Sequence, residues 1–205
     1  GWLYQFYISE EKDRVFSKEG KYDAEDIPAA TQLFTPDWIV KYLVQNSVGR
    51  KWLESHPEHS ELSKKWKYYI NHEDDEYQEK IANFVDGNLK IEELKVLDPA
   101  MGSGHILVYA FDLLYEIYIE NGYTRNEIPR LILENNLYGL EIDDRAYQLA
   151  SFSLVMKALQ YDNRFLTKIQ RQKLSMNIAA IQETNNMPQN TVQVLAGEDS
   201  GVFYD

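Results

Sequence analysis

The run Leu97-Asp98-Pro99-Ala100-Met101-Gly102-Ser103-Gly104-His105 constrains this chain more than any other feature. It joins a short apolar segment, Leu94-Lys95-Val96-Leu97, to a stretch carrying Leu107, Ala110, Phe111 and Leu114 at helical spacing. A strand that turns through glycines into a helix opens a parallel α/β sheet, and such sheets bind ligands at the carboxyl ends of their strands. Gly102 and Gly104 let the backbone pass close to a ligand. The helix start behind them presents N–H groups with no partner inside the helix. The alternation then continues. The first helix, 106–118, stops at Asn121-Gly122, and a short helix follows over 127–134. A second strand is expected over 137–142, a helix over 144–160 and a third strand over 176–181. This order predicts an α/β fold with right-handed crossovers.

Upstream of the sheet the expectation is helical. Residues 1–17 read as one helix, with Trp2, Leu3, Phe6 and Tyr7 on a single face. Thr35-Pro36-Asp37 reads as a second helix start: Thr35 as cap, Pro36 in the first turn, Asp37 favouring the dipole. That helix runs to about residue 54. Residues 58–84 are polar and are expected to form two short helices in an insertion, and Asp86-Gly87-Asn88 a turn. The division expected is 1–90 for an N-terminal helical region and 91–205 for a partial α/β core. The apolar opening, the first residue Gly1 and the end at Val202-Phe203-Tyr204-Asp205 read as an internal piece of a larger protein.

The ligand class follows from what the loop contains and lacks. A dinucleotide fingerprint needs a third glycine where Leu107 stands, and no G-K-[ST] phosphate loop occurs. Asp98 would repel a diphosphate but suits a ligand bearing an ammonium or sulfonium group. Glu141, at the end of the second strand, can accept hydrogen bonds from both hydroxyls of a ribose. Ile142 beside it can pack on a purine, and Gln182 or Glu183 can meet an adenine edge. Together these residues read as a site for S-adenosyl-L-methionine. Singly, each has a plainer reading: a tight turn, a solvated strand-end carboxylate, an ordinary helix start.

The same residues carry a resemblance. Asp98-Pro99-Ala100-Met101-Gly102-Ser103-Gly104-His105 resembles the D-P-A-x-G-S-G-x motif of the N6-adenine DNA methyltransferases of restriction–modification systems. Gly139-Leu140-Glu141-Ile142-Asp143 is similar to their second motif, and Gln32-Leu33-Phe34-Thr35-Pro36-Asp37-Trp38-Ile39-Val40 to the segment preceding it, F-T-P-x-x-[IV]-V. The order of the segments is that of the gamma type. The opening Gly1–Tyr7 and the stretch running from Ala29-Ala30-Thr31-Gln32 to Gly49-Arg50-Lys51-Trp52-Leu53 are similar to the large adenine-specific methyltransferases of BREX phage defence, the PglX-like group. Fused restriction–methylation enzymes are near relatives of that group. The resemblance covers almost the whole chain, most weakly over 55–90 and 184–205.

It implies a Rossmann-like S-adenosylmethionine-dependent methyltransferase core acting on double-stranded DNA. Asp98, Gly102 and Gly104 would line the methionine portion of the cofactor, with Thr35 and Pro36 bordering it, and Pro99 and Ala100 of the same loop would also be cofactor-binding. Glu141 would take the ribose, Ile142 the adenine, and Glu183, or Gln182, would sit near the adenine amino group. The catalytic [DN]-P-P-[YFW] tetrapeptide is absent, since no two of the six prolines are adjacent. It is expected beyond Asp205, together with the domain that recognises DNA sequence.

Composition agrees with that division of labour. The net charge is −12, so most of this surface repels a phosphate backbone. The main grip on DNA is therefore expected elsewhere, and other defence-system proteins are candidate partners. Cysteine is absent, which excludes thiolate chemistry and fits a cytoplasmic setting. No apolar run approaches a membrane span. His72-Glu73-Asp74-Asp75-Glu76 reads as a solvated acidic helix start rather than a metal site. Arg164, Lys168, Arg171 and Lys173 form one basic cluster, with a solvated face as its default reading. Trp66-Lys67-Tyr68-Tyr69 reads as core or interface, and His105 as a structural neighbour of the loop. The competing function is a non-catalytic module that binds S-adenosylmethionine or scaffolds a defence complex. A nucleotide-dependent oxidoreductase is a third reading, which NAD binding would revive.

Overall fold

A computed structural model describes residues 2–182 apart from 19, 22, 24, 25, 28, 29, 31–34, 73 and 74. Three strands, β1 (Val96–Asp98), β2 (Leu137–Glu141) and β3 (Asn177–Ala180), form a parallel sheet in the order β1-β2-β3. Asp98 pairs with Gly139 across the first ladder, and Glu141 with Ala180 across the second. Both β1 and β2 therefore end at one edge of the sheet. The strands are shorter than expected. Leu94 and Lys95 stay outside β1 because a 3-10 turn over Ile91–Glu93 ends just before them. Met176 and Ile181 likewise flank β3 rather than belong to it.

The N-terminal helix α1 covers Trp2–Phe16; the side chains of its aromatic opening lie outside the described residues. Its end is tied to buried Asp26, which accepts from Arg14 at 3.0 Å and Lys18 at 2.5 Å. Helix α2 (Asp37–Val44) passes through a π-turn, Gln45–Gly49, into α3 (Arg50–Ser55). Its capping differs from expectation by one residue. Pro36 itself is the N-cap, with extended backbone, and its carbonyl receives the Ile39 and Val40 N–H groups. Thr35 lies before the cap, so its hydroxyl is not in the capping position. Asp37 does occupy the first turn and pairs with Lys41 at 2.6 Å.

The segment expected as two short helices is a 3-10 stretch, Pro57–Lys65, followed by α4 (Asp75–Ile81) and a 3-10 turn at Ala82–Phe84. Asp86 closes the predicted turn, accepting the Asn88 N–H at 2.9 Å on its carboxylate. Trp66 is buried and donates to Glu116 at 3.0 Å, with Tyr69 edge-on at 5.9 Å; this cluster is core.

Helix α5 (His105–Glu120) buries Leu107, Ala110, Phe111, Leu114 and Ile117, the stripe its periodicity demands. Its end is a Schellman-type stop. Gly122 has φ +79°, and the Tyr123 N–H reaches back to the Tyr118 carbonyl at 3.1 Å. The short helix expected over 127–134 divides into α6 (Ile128–Leu131) and a π-turn, Ile132–Asn136, that feeds β2. Helix α7 (Asp144–Tyr161) starts at an unforeseen cap, Asp143, whose carboxylate accepts the Arg145 N–H at 2.9 Å. Helix α8 (Phe165–Arg171) was also not expected; its single buried residue, Phe165, leaves little periodic signal. The core joins α5 and α7 to one face of the sheet, through Leu107, Phe111, Ala150, Leu154 and Ile178. Leu97, on the neighbouring pleat of β1, remains 60% exposed.

Candidate cofactor site

The loop between β1 and α5 is shaped by two glycines in the left-handed region, Gly102 at φ +54° and Gly104 at φ +83°. They differ in their surroundings. A Cβ on Gly102 would meet nothing within 4 Å, so this turn faces open space. A Cβ on Gly104 would lie 3.1 Å from that of Ala150, so Gly104 also lets α7 approach the start of α5. Gly139 on β2, the first residue of the second-strand motif, sits beneath the loop. A Cβ there would fall 2.4 Å from the Met101 sulfur and 2.9 Å from Leu107. Met101 and Ser103 point inward, and Met101 is 4% exposed. No local signal in the sequence marks this contact, because it joins β2 to the loop and helix that follow β1.

Asp98 and Glu141 come together at the sheet edge, both buried. Asp98 folds back to accept the Ala100 N–H at 3.2 Å. Burial pushes its carboxyl pKa above the ordinary value; the Ala100 hydrogen bond opposes this, and the nearby charge of Glu141 adds to it. Glu141 receives three backbone donors. Oε2 accepts from Gly102 at 2.7 Å, and Oε1 accepts from Ile142 at 2.9 Å and Asp143 at 3.0 Å. The Met101 N–H adds a bond to the Leu140 carbonyl at 3.0 Å. Ile142 follows as an apolar side chain 65% exposed to solvent. Pro99 and Ala100 are exposed at the loop's rim.

The structure thus gathers Asp98, Pro99, Ala100, Gly102, Gly104, Glu141 and Ile142 into one place. Thr35 is half-buried and Pro36 exposed, at the start of α2. Helix α2 runs alongside α5 in the same direction. Asp37 acts on His105 through its charge, and Gln45 donates to the Tyr109 hydroxyl at 2.5 Å. The Thr35–Pro36 end therefore lies at the loop's end of the molecule. Burial pushes the His105 imidazole below its ordinary pKa, and Asp37 partly restores it. Gln182 is exposed beside Asp144, 3.4 Å from its carboxylate. Glu183 lies outside the described residues. Among the described residues no cluster of metal ligands occurs, although Glu73 and Asp74 of the acidic run lie outside them.

A parallel sheet with a glycine turn after its first strand and a buried carboxylate ending its second defines a small α/β domain with a candidate ligand site at its carboxyl edge. The chain belongs to the MmeI DNA-methyltransferase domain family, which matches residues 71–196. It is 54% identical over 186 residues to the adenine-specific methyltransferase BrxX of Escherichia coli O9:H4 (strain HS), covering 90% of this chain and 15% of that protein. It is 49% identical over 173 residues to the adenine-specific methyltransferase PglX of Lacticaseibacillus casei (strain Zhang), covering 80% and 14%. It is 30% identical over 145 residues to a putative type II restriction enzyme and methyltransferase, RM.MjaORFECS2P, of Methanocaldococcus jannaschii, covering 62% and 12%. The chain therefore spans only a small part of the relatives it matches.

Proposed function

We propose that this chain is the S-adenosylmethionine-binding part of a DNA (adenine-N6) methyltransferase of a phage-defence system, with a Rossmann-like core. The observation that carries this reading is the meeting of the Gly102 turn and the Glu141 carboxylate at the carboxyl ends of β1 and β2. Family membership supports a methyl donor as ligand, and the names of the relatives support DNA adenine as acceptor.

The residues fit that cofactor. A carboxylate has about four acceptor positions. Three on Glu141 are occupied, leaving one on Oε2, so the carboxylate has room for one ribose hydroxyl rather than the two expected from the sequence. Gly102 opens to free space, where a ligand can approach the backbone. Ile142 offers an exposed apolar face to an adenine ring. Asp98, with Pro99 and Ala100 at the rim, gives the methionine end a carboxyl group suited to a positive ligand. Thr35 and Pro36 border the same end, and Glu183 or Gln182 meets the adenine amino group. When bound, S-adenosylmethionine supplies a methyl group activated by a sulfonium.

This chain's residues bind and orient. With no two prolines adjacent, the chain contains no N-P-P-Y-type tetrapeptide to hold a flipped adenine. The partner is double-stranded DNA, gripped mainly by other parts of the protein. Calorimetric titration of the intact protein with S-adenosylmethionine, with NAD as control, tests the reading. Saturable binding is expected to be lost on Asp98→Ala with Glu141→Ala. Binding of NAD instead, or of neither ligand by a folded protein, rejects it.

A further inference from the structure

We infer that Glu141 is a positioning residue for the Gly-rich loop in its own right, holding the turn at Gly102 in shape before any cofactor arrives. The inference rests on the proposed cofactor site but goes beyond the ribose contact. Two adjacent loop residues are fixed to the end of β2. Met101 donates its N–H to the Leu140 carbonyl at 3.0 Å, and Gly102 donates to Glu141 Oε2 at 2.7 Å. The carboxylate cannot swing away freely, because Oε1 is held by the Ile142 and Asp143 N–H groups at 2.9 and 3.0 Å. The group is 8% exposed, so water does not readily replace it. Loop and strand end thus share one buried anion, 39 residues from its loop partner in sequence.

Only a carboxylate satisfies this arrangement. An amide has one acceptor oxygen and one donor nitrogen. Glu141→Gln therefore sets an NH2 against a backbone N–H, either at Gly102 or at the Ile142–Asp143 pair. A shorter Asp at this position does not span both sides. A carboxylate serving ribose alone would leave the loop of the cofactor-free protein indifferent to these changes.

Amide hydrogen exchange on the intact, cofactor-free protein, resolved to single residues by mass spectrometry, reads this directly. The Gly102 amide is expected to be protected. In Glu141→Gln it is expected to exchange at least about tenfold faster, the loss of a hydrogen bond to a charged group, while amides in α5 and α7 stay unchanged. Unprotected Gly102 in the parent protein overturns the inference without recourse to any variant. So does equal exchange in parent and variant.

A second arm compares S-adenosylhomocysteine with its 2′,3′-dideoxy form. If Glu141 acts on the loop, the affinity penalty of Glu141→Gln persists with the dideoxy ligand; if it serves ribose alone, the penalty vanishes and the inference fails. Absence of binding by both ligands in the parent rejects the cofactor reading, and the exchange result then decides the loop's positioning separately.

Discussion

At Asp98 the cost of burying a carboxylate competes with the use of its charge. Burial raises its pKa above that of the unfolded chain, against the Ala100 hydrogen bond and with help from Glu141. Between the ordinary and the raised value the folded state binds more protons than the unfolded state. Stability therefore falls as pH rises through that window and stays lowered above it. Asp98→Asn keeps an oxygen for the Ala100 N–H and removes the charge. The variant is expected to unfold at higher temperature than the parent at pH 8, with the difference closing as pH falls below the ordinary carboxyl range. Its affinity for S-adenosylmethionine is expected to drop at least about tenfold, the scale of one charge-assisted contact. Calorimetric unfolding across pH, with ligand titration beside it, checks both; equal thermal stability at pH 8 contradicts the burial argument. The glycines give a second ordering. Gly102→Ala meets open space and costs only left-handed strain, about 1–2 kcal/mol. Gly104→Ala carries the same strain and also presses on Ala150, adding about 1–3 kcal/mol of overpacking. Urea unfolding should therefore rank Gly104→Ala as the more destabilising.

Helix α2 shows what lies between elements rather than within them. Where it widens into a π-turn, two amide side chains stitch it to distant backbone. Gln45, 2% exposed, takes the Tyr68 N–H at 2.7 Å while donating to Tyr109. Asn46 takes the Ile70 N–H at 2.9 Å and donates to the Tyr68 carbonyl at 2.7 Å. Gly49 ends the turn against the ring of Trp66, where an added Cβ would lie 2.7 Å from a ring carbon. That ring is buried and hydrogen-bonded to Glu116, so it has little room to yield. Gly49→Ala is expected to cost about 1–3 kcal/mol, read as a lower urea midpoint with unchanged slope. None of this is local, which explains what sequence reading reached and what it missed. Helix α5 and its glycine stop were legible because one stripe and one left-handed residue define them. The three strands were legible as short apolar runs, though their ends depend on pairing. The Gln45–Tyr68 bond, the Gly139–Met101 contact and the Glu141–Gly102 bond join residues about 20 to 40 positions apart. Periodicity carries no record of such pairings. Asp98, Gly102 and Glu141 could be nominated from residue type and strand position, but the grip of one on another could not.

Under the proposed function, charge bears on the division of labour at the scale of the molecule. A net charge of −12 opposes a duplex over most of the surface. The basic cluster is the natural exception to examine. Lys168 is already engaged, 2.6 Å from Asp162 and 2.7 Å from the Asn126 carbonyl, while Arg164, Arg171 and Lys173 are exposed. Helix α8 precedes β3 and so lies toward the amino end of the sheet, away from the carboxyl edge that holds Asp98, Gly102 and Glu141. Under the proposed function, the target adenine must reach that carboxyl edge. A duplex delivering it there does not also rest on α8 unless it bends around the domain. Each phosphate contact contributes about 0.9 to the slope of log affinity against log salt. Reversing Arg164 and Arg171 to Glu in the intact protein is therefore expected to leave the slope for duplex binding unchanged. Cofactor affinity should hold as well, because neither side chain lies at the loop. A slope reduced by about 0.9 for each reversal would instead place DNA on α8. The duplex would then have to wrap the acidic domain from pole to pole, and the grip would have to be reassigned to this chain.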